Sequence, residues 1–465
     1  MDIKGRLNFV SMSSDYLNNN KESEIRYEIL TKPIFRLLIK KAVPTIIGML
    51  VTVIYNLTDT FFVSLLDNSS MIAAIGVVFS FLSIIQAIGF WFGYGSGNIM
   101  SKKIGEKNTE EAEIFSTIGI IFAIVSGILI AIFSRIYVLP LSRVLGGFAS
   151  NELFIFTVEY LKVIIISIPF SLYAITIYNQ LRLCGNAKDG MIGLLIGMVV
   201  NLIFDPIFIF SLEYGFVGSA YATLIGHIIA CITLTILAGK KRNTFSKMKK
   251  IKFTKSRIYH VLLGGIPNFA RQSITSISLI LLNTVSAQYG DSMIASMTIS
   301  TRILAFAQMI AIGWCQGFQP ICAMNYGAKQ YERVKKAFNY TVFVGTIFLV
   351  ISSLILFIYA QDLIGIMTSD NEVLMMGSHI LRLQCIVMPL LGYYAVSGMY
   401  MQNIGKYFIA MIITISRQGI FFIPLLYIMS EIFGKNGIYL LQPISDTMSF
   451  ILAFILVKKY KDDSY

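Results

Sequence analysis

The chain has 465 residues, of which 56% are hydrophobic and only 14% charged, and its mean hydropathy is +0.72. A soluble chain of this size carries about a quarter of its residues charged. The apolar content fills ten to twelve bilayer spans of roughly 20 residues each, which excludes a soluble enzyme and predicts a polytopic membrane protein. The net charge of +13 suggests nucleic acid at first sight, but its placement argues against that.

The first 33 residues mix Lys4, Arg6, Lys21, Arg26 and Lys32 with Asp2, Asp15, Glu22, Glu24 and Glu28, and contain no apolar core of a cleavable leader. After this segment, apolar runs predict twelve helical spans: 36–64, 71–97, 113–135, 153–180, 190–211, 216–239, 259–288, 292–320, 335–360, 373–401, 408–430 and 436–457. Alternation of the kind that marks a membrane β-barrel is missing. Thirty of the 38 Lys and Arg fall in the two termini and in the connections after even-numbered spans, against three in the other connections. Under the positive-inside rule this places both termini in the cytoplasm and requires an even number of spans.

The longest basic connection, 240–257, holds nine Lys and Arg and reads as a linker resting on anionic headgroups. It divides the chain into an N-terminal segment (1–33), a first lobe of spans 1–6 (34–239), the linker (240–257), a second lobe of spans 7–12 (258–458) and a tail (459–465). The lobes echo each other. Ala42-Val43-Pro44 returns as Gly265-Ile266-Pro267, and Met71-Ile72-Ala73-Ala74 as Met293-Ile294-Ala295-Ser296. Gly89-Phe90-Trp91 returns as Ile312-Gly313-Trp314, and Ile104-Gly105-Glu106-Lys107 as Tyr326-Gly327-Ala328-Lys329. Pro169 and Gly185 return as Pro389 and Gly405. With six spans each, the lobes form a parallel repeat. The predicted fold is thus an all-α membrane protein of twelve transmembrane helices in two pseudo-symmetric six-helix bundles, an arrangement typical of transporters.

Three acids lie deep in spans: Asp59 in span 1, Asp205 in span 5 and Asp446 in span 12. An intramembrane carboxylate costs about 2.5–3.5 kcal/mol and is a functional candidate by default. Tyr55 is one turn from Asp59, and Asn201 one turn from Asp205. Pro206 donates no N–H, which frees the Leu202 carbonyl, and span 6 adds Thr223 with His227 one turn on. These hard oxygen donors suit a monovalent cation, or let two carboxylates share a proton. The competing reading is that each acid is structural. For Asp446 that reading is an ion pair with Arg417 of span 11. The second lobe does not repeat the acids of the first and carries uncharged polar groups instead, among them Gln272, Asn283, Gln308, Gln316, Gln418 and Gln442.

The remaining chemistry is sparse. The five cysteines contain no CxxC pair, the three histidines are scattered, and no P-loop occurs, so neither a disulfide framework, a His/Cys metal site nor a nucleotide motor is expected.

Pro44, then Asn56-Leu57-Thr58-Asp59-Thr60-Phe61-Phe62-Val63, Leu181-Arg182-Leu183-Cys184-Gly185-Asn186-Ala187-Lys188 and Asn201-Leu202-Ile203-Phe204-Asp205-Pro206, in this order and spacing, resemble the multidrug and toxic compound extrusion (MATE) family. The likeness runs from about Thr31 to Tyr460 and is strongest to the prokaryotic branch with an acidic first-lobe site. It implies a cell-membrane antiporter, not an enzyme, that exports amphipathic, often cationic compounds in exchange for Na⁺ or H⁺, with no other cofactor and no obligate protein partner. It implies a coupling site, and a Na⁺ site if Na⁺ is the ion, at Asp59, Asn201, Asp205 and Thr223, with Tyr55 and Asn179 as neighbours. Gln442, Asp446 and Arg417 are candidates for the substrate path. A branch of the family with acidic ligands in spans 7 and 8 fits poorly, because Asn283 and Arg302 stand there. The alternative is a lipid-linked oligosaccharide flippase of the same superfamily. It calls for several cavity-facing basic residues, and only Arg271, Arg302 and Arg417 are available.

Overall fold

The computed structural model describes residues 24–66, 68–146, 150–240, 253–368 and 370–461, without the side chains of eight of these, Tyr55 among them. Most of the basic linker, the first 23 residues and the last four lie outside them. The helices that match the twelve spans are α1 (Ile34–Ser64), α2 (Ser69–Gly105), α3 (Thr109–Ile136), α4 (Asn151–Leu183), α5 (Ala187–Pro206, continued by Ile207–Ser211) and α6 (Gly215–Ala238). They are followed by α7 (Lys255–Ser286), α8 (Asp291–Gly327), α9 (Tyr331–Ile358), α10 (Asn371–Val387 with Leu390–Asn403, bent by 57°), α11 (Tyr407–Ile415, Ser416–Ile420 and Phe422–Phe433) and α12 (Lys435–Lys461). Among the described residues nine helices are long and apolar enough to cross a bilayer, and ten with the bent α10 pair. The other two, α1 and α7, are long enough to cross a bilayer at 31 and 32 residues.

Two helices outrun their apolar segments. Each of α2 and α8 has 37 residues, about 55 Å of helix, and runs on past the ends predicted at 97 and 320. Hydropathy stops at the polar residues Asn98 and Ser101, yet both are buried by helix packing, so the helix continues where the lipid signal ends.

The repeat is visible in the turns. After α2, Lys107 takes a positive φ of 62° while the Asn108 amide returns to the Lys103 carbonyl. After α8, Lys329 has φ 59° and the Gln330 amide returns to Asn325. After α4 and α10, Gly185 and Gly405 have φ of 87° and 91° and are followed by the matching bonds of Asn186 to Leu181 and Lys406 to Met401. Such left-handed closures satisfy carbonyls at a helix end, and glycine adopts them without strain.

The helices gather into two packed units. One takes in the chain up to Leu37, Val51–Gly265 and Ala323–Gln330; the other takes in Leu38–Leu50, Ile266–Cys322 and the chain from Tyr331. In the first unit the Trp91 indole N–H donates to the Leu262 carbonyl at 2.7 Å, and Gly265 lies against the Trp91 backbone, so the start of α7 belongs with α2. In the second, a Cβ on Gly317 would sit 2.6 Å from Ala42 Cα, and one on Gly313 2.8 Å from Ile46 Cα. The first half of α1 is therefore held by the G-x-x-x-G face of α8, the small-residue approach that membrane helices use in place of a hydrophobic driving force. The first unit's core joins Val78, Phe81, Leu161, Ile164, Ile168 and Phe216. It also buries a polar knot in which Gln180 Nε2 donates to Ser96 Oγ at 2.7 Å.

Candidate functional site

Spans α5 and α6 approach closely because their facing residues are small. A Cβ on Gly197 would meet the Ala230 Cβ at 2.7 Å and the Gly226 carbonyl at 2.9 Å, and Gly193 lies against Leu234. Gly193, Gly197, Asn201 and Asp205 follow one another at four-residue steps on one face of α5. The opposing face of α6 presents Gly226, Thr223 and Ser219 in antiparallel register. The glycines thus bring the polar ends of that face into contact, and Asn201 Cβ lies within 3.1 Å of where a Gly226 Cβ would be.

Past Asp205 the helix widens. Pro206 has no N–H to continue the α ladder, and the next bonds are longer-range: the Leu212 amide reaches back five residues to Ile207. Gly218 of α6 packs its backbone against Phe208 and Ile209 in this π turn. Such turns are rare and concentrate at functional sites.

Into this corner α1 brings Asp59. The Thr223 hydroxyl donates to Asp59 Oδ2 at 3.3 Å, and the Asn201 amide reaches the Thr223 hydroxyl at 3.5 Å. The Asp59 and Asp205 carboxyl groups face each other, with the Tyr160 phenol and the Ser219 hydroxyl beside them. All are sequestered: Asp205 and Asn201 are 0% exposed, Thr223 1% and Asp59 8%. The donors run out before the acceptors do. Asp59 Oδ1, both Asp205 oxygens and Asn201 Oδ1 are buried without a hydrogen-bond donor among the described residues. Two buried carboxylates cost several kcal/mol each unless compensated, so the donor set calls for a positive guest. Carboxylate, amide and hydroxyl oxygens fit a proton or a hard monovalent cation.

The four residues expected at the coupling site therefore converge. Asn179 does not join them. Its amide donates to the Ile175 carbonyl at 2.8 Å and its oxygen accepts from Arg182 at 3.2 Å, while that guanidinium stacks on Tyr94 at 4.9 Å. The side chain of Tyr55 lies outside the described residues. Tyr160 and Ser219 carried no sequence signal: a tyrosine in an apolar span is ordinary, and only the packing of α4 on α6 turns it toward the acids.

The second unit holds a separate polar centre. Arg417 grips Asp446 through two bonds, Nε to Oδ1 at 2.7 Å and Nη2 to Oδ2 at 3.3 Å. Gln442 donates to Asp446 Oδ1, and Gln418 to Gln442. Arg417 also sits on a π turn, Ser416–Ile420, where the Phe421 amide reaches back to Ser416. The ion pair expected as the structural reading of Asp446 is thus formed. Arg302 lies exposed on α8, and a C-terminal cluster of acids is not assembled among the described residues.

A helical multi-pass membrane protein, built as a parallel repeat with ionisable groups buried inside its spans, has the architecture of a transporter. Sequence comparison matches the MatE family over residues 44–207 and again over 267–428, starts 223 residues apart, and the chain belongs to this MATE family. Among curated relatives, the Staphylococcus aureus (strain NCTC 8325 / PS 47) multidrug export protein MepA is 29% identical over 444 residues, covering 95% of this chain and 97% of its own length. MepA of Staphylococcus haemolyticus is 28% identical over 426 residues, covering 91% and 93%. Among solved structures, a MATE transporter in a bent conformation superposes with a TM-score of 0.88 at 22% identity, covering 94% of this chain and 99% of its own. The Vibrio cholerae MATE transporter VcmN gives 0.86 at 20%, covering 96% and 98%; at these identities the likeness is one of fold.

Proposed function

We propose that this protein is an antiporter of the cell membrane, with both termini cytoplasmic, that expels amphipathic, often cationic compounds in exchange for Na⁺ or H⁺. The observation that carries this is the meeting of Asp59 and Asp205, from different helices, in a buried pocket with four unsatisfied acceptor oxygens. The naming of the MepA relatives as multidrug export proteins supports the substrate class.

A pocket of this composition holds one positive guest at a time. Asp59, Asp205, Asn201 and Thr223 would ligate Na⁺, or the two carboxyls would share a proton. Either guest removes the repulsion between the carboxylates and holds α1 against α5 and α6 through the Thr223–Asp59 bond. Residues 38–50 of α1 pack in one unit and 51–64 in the other. Filling or emptying the pocket therefore acts on a helix that both units share. That is the coupling an exchanger needs, because a ligand shifts a conformational equilibrium only through its different affinity for the two states.

The test is efflux of a cationic dye from proteoliposomes, driven by an imposed Na⁺ gradient and then by an imposed pH gradient. Asp59→Asn and Asp205→Asn are expected to abolish efflux under the driving gradient while the protein remains folded in the membrane. Wild-type efflux by either variant overturns the mechanism.

A further inference from the structure

The second unit contains an intramembrane cation that nothing in the exchange mechanism uses. Arg271 stands at the middle of α7, and among the described residues its guanidinium has neither an ion-pair nor a hydrogen-bond partner. Its place is fixed by its neighbours on the same helix face. Pro267, Arg271, Ile274 and Ser278 recur at steps of four, three and four, one stripe of the helix. The other three all touch α11: the Pro267 carbonyl accepts from Thr414 at 3.3 Å, Ile274 lies against Gly419, and Ser278 donates to the Gln418 carbonyl. Arg271 therefore faces the stretch of α11 between Thr414 and Gln418, which carries Arg417. Tyr394 of α10 donates to the Thr414 carbonyl at 3.0 Å and lies within electrostatic reach of Arg271, Arg417 and Asp446 alike.

The charges in this corner do not balance. Arg417 and Asp446 neutralise each other through their paired bonds, and Gln442, Gln418 and Tyr394 are neutral. Arg271 is left as a surplus positive charge. Unpaired arginines within a span are costly and usually line a ligand path, and a guanidinium fork matches a carboxylate with two parallel bonds. Arg271 lies halfway along a 32-residue helix and not at its ends, the wrong depth for a phospholipid phosphate, which stays at headgroup level.

We propose that Arg271, backed by Tyr394 and the Arg417–Asp446 pair, forms an acceptor subsite for the carboxylate of carboxyl-bearing amphipathic compounds. The proposal rests on the reading of the protein as an exporter of amphipaths, but it concerns binding and is tested without transport. Rhodamine B, which carries a free carboxylate, and its ethyl ester are titrated by fluorescence polarisation into the purified protein in detergent. The readout is the ratio of the two affinities. Arg271→Gln is expected to lower the acid-to-ester ratio about tenfold, and Arg271→Lys, which keeps the charge but not the fork, to give a ratio between those of Arg271→Gln and the wild type.

An unchanged ratio in Arg271→Gln overturns the subsite, as does an equal loss for acid and ester, which would mark a structural role. A wild-type ratio that collapses on adding phosphatidylglycerol micelles assigns the charge to lipid and overturns it as well. Asp59→Asn separates the two readings: normal dye efflux by that variant removes the exchange mechanism and leaves the acid-to-ester ratio standing.

Discussion

The Thr223 hydroxyl and the Asp59 carboxylate, 164 residues apart in the chain, meet at 3.3 Å where α6 crosses the far half of α1. This bond ties the one acid on α1 to the glycine-packed pair α5 and α6, and it gives the site a handle that can be varied without removing charge.

Thr223→Ala takes the donor from Asp59 Oδ2 and the acceptor from the Asn201 amide. Hydrogen bonds to charged groups contribute about 1.5–3 kcal/mol, so the cation concentration for half-maximal efflux is expected to rise tenfold or more. Thr223→Ser keeps the hydroxyl and should stay within a few-fold of wild type. A wild-type cation dependence in Thr223→Ala would separate the hydroxyl from the site.

The glycine face of α5 and α6 makes a stability prediction with an internal control. A Cβ on Gly226 would lie 3.0 Å from the Gly197 carbonyl and 3.1 Å from Asn201 Cβ, whereas one on Gly76 of α2 meets nothing within 4 Å. Overpacking costs about 1–3 kcal/mol, so Gly226→Ala should melt earlier and lose efflux by displacing Asn201. Gly76→Ala gains helix propensity of about 0.5–1 kcal/mol and should melt at or above the wild-type temperature.

The Arg417–Asp446 pair should behave as a buried unit. Removing one member leaves a charge without its partner, at about 3–5 kcal/mol, while replacing both with apolar residues is commonly near neutral. Asp446→Leu alone is expected to destabilise strongly in thermal unfolding, and the double variant with Arg417→Met to recover most of the loss. Equal destabilisation by the single and double variants would show that Arg417 is held by other contacts.

A charge pair near water should matter far less. Arg257 at the start of α7 grips Glu111 at the start of α3 through bonds of 2.9 and 3.1 Å, but both side chains are more than a fifth exposed. Pairs of this kind contribute about 0–1 kcal/mol. Glu111→Gln should leave the melting temperature nearly unchanged, any small effect disappearing at high salt.

Much of the site was legible because a charge inside an apolar run has few innocent explanations. Asp59, Asp205 and Asn201 stand out by hydropathy, Thr223 enters through the family resemblance, and the structure draws the four together. Asn179 shows the limit of the same reasoning. It has the right residue type at the right depth, but Arg182 one turn away claims its oxygen. Tyr160 and Ser219 were not legible at all, since a phenol or a hydroxyl costs little in a helix and leaves no trace in composition. The helix ends of α2 and α8 were misplaced because hydropathy reports lipid contact, and their last turns are buried against protein instead.

What the chain determined locally is the count of crossing helices, their parallel repeat and the acids within them, because a bilayer tolerates only segments that satisfy their own backbone and penalises each buried charge. The tertiary structure alone decided which of those groups share a pocket. It set the π turns after Pro206 and at Arg417, gave the first half of α1 to one unit and the second half to the other, and left Arg271 without a counter-charge among the described residues. Those outcomes depend on how closely small residues let two helices approach, a property of facing pairs that neither helix carries by itself.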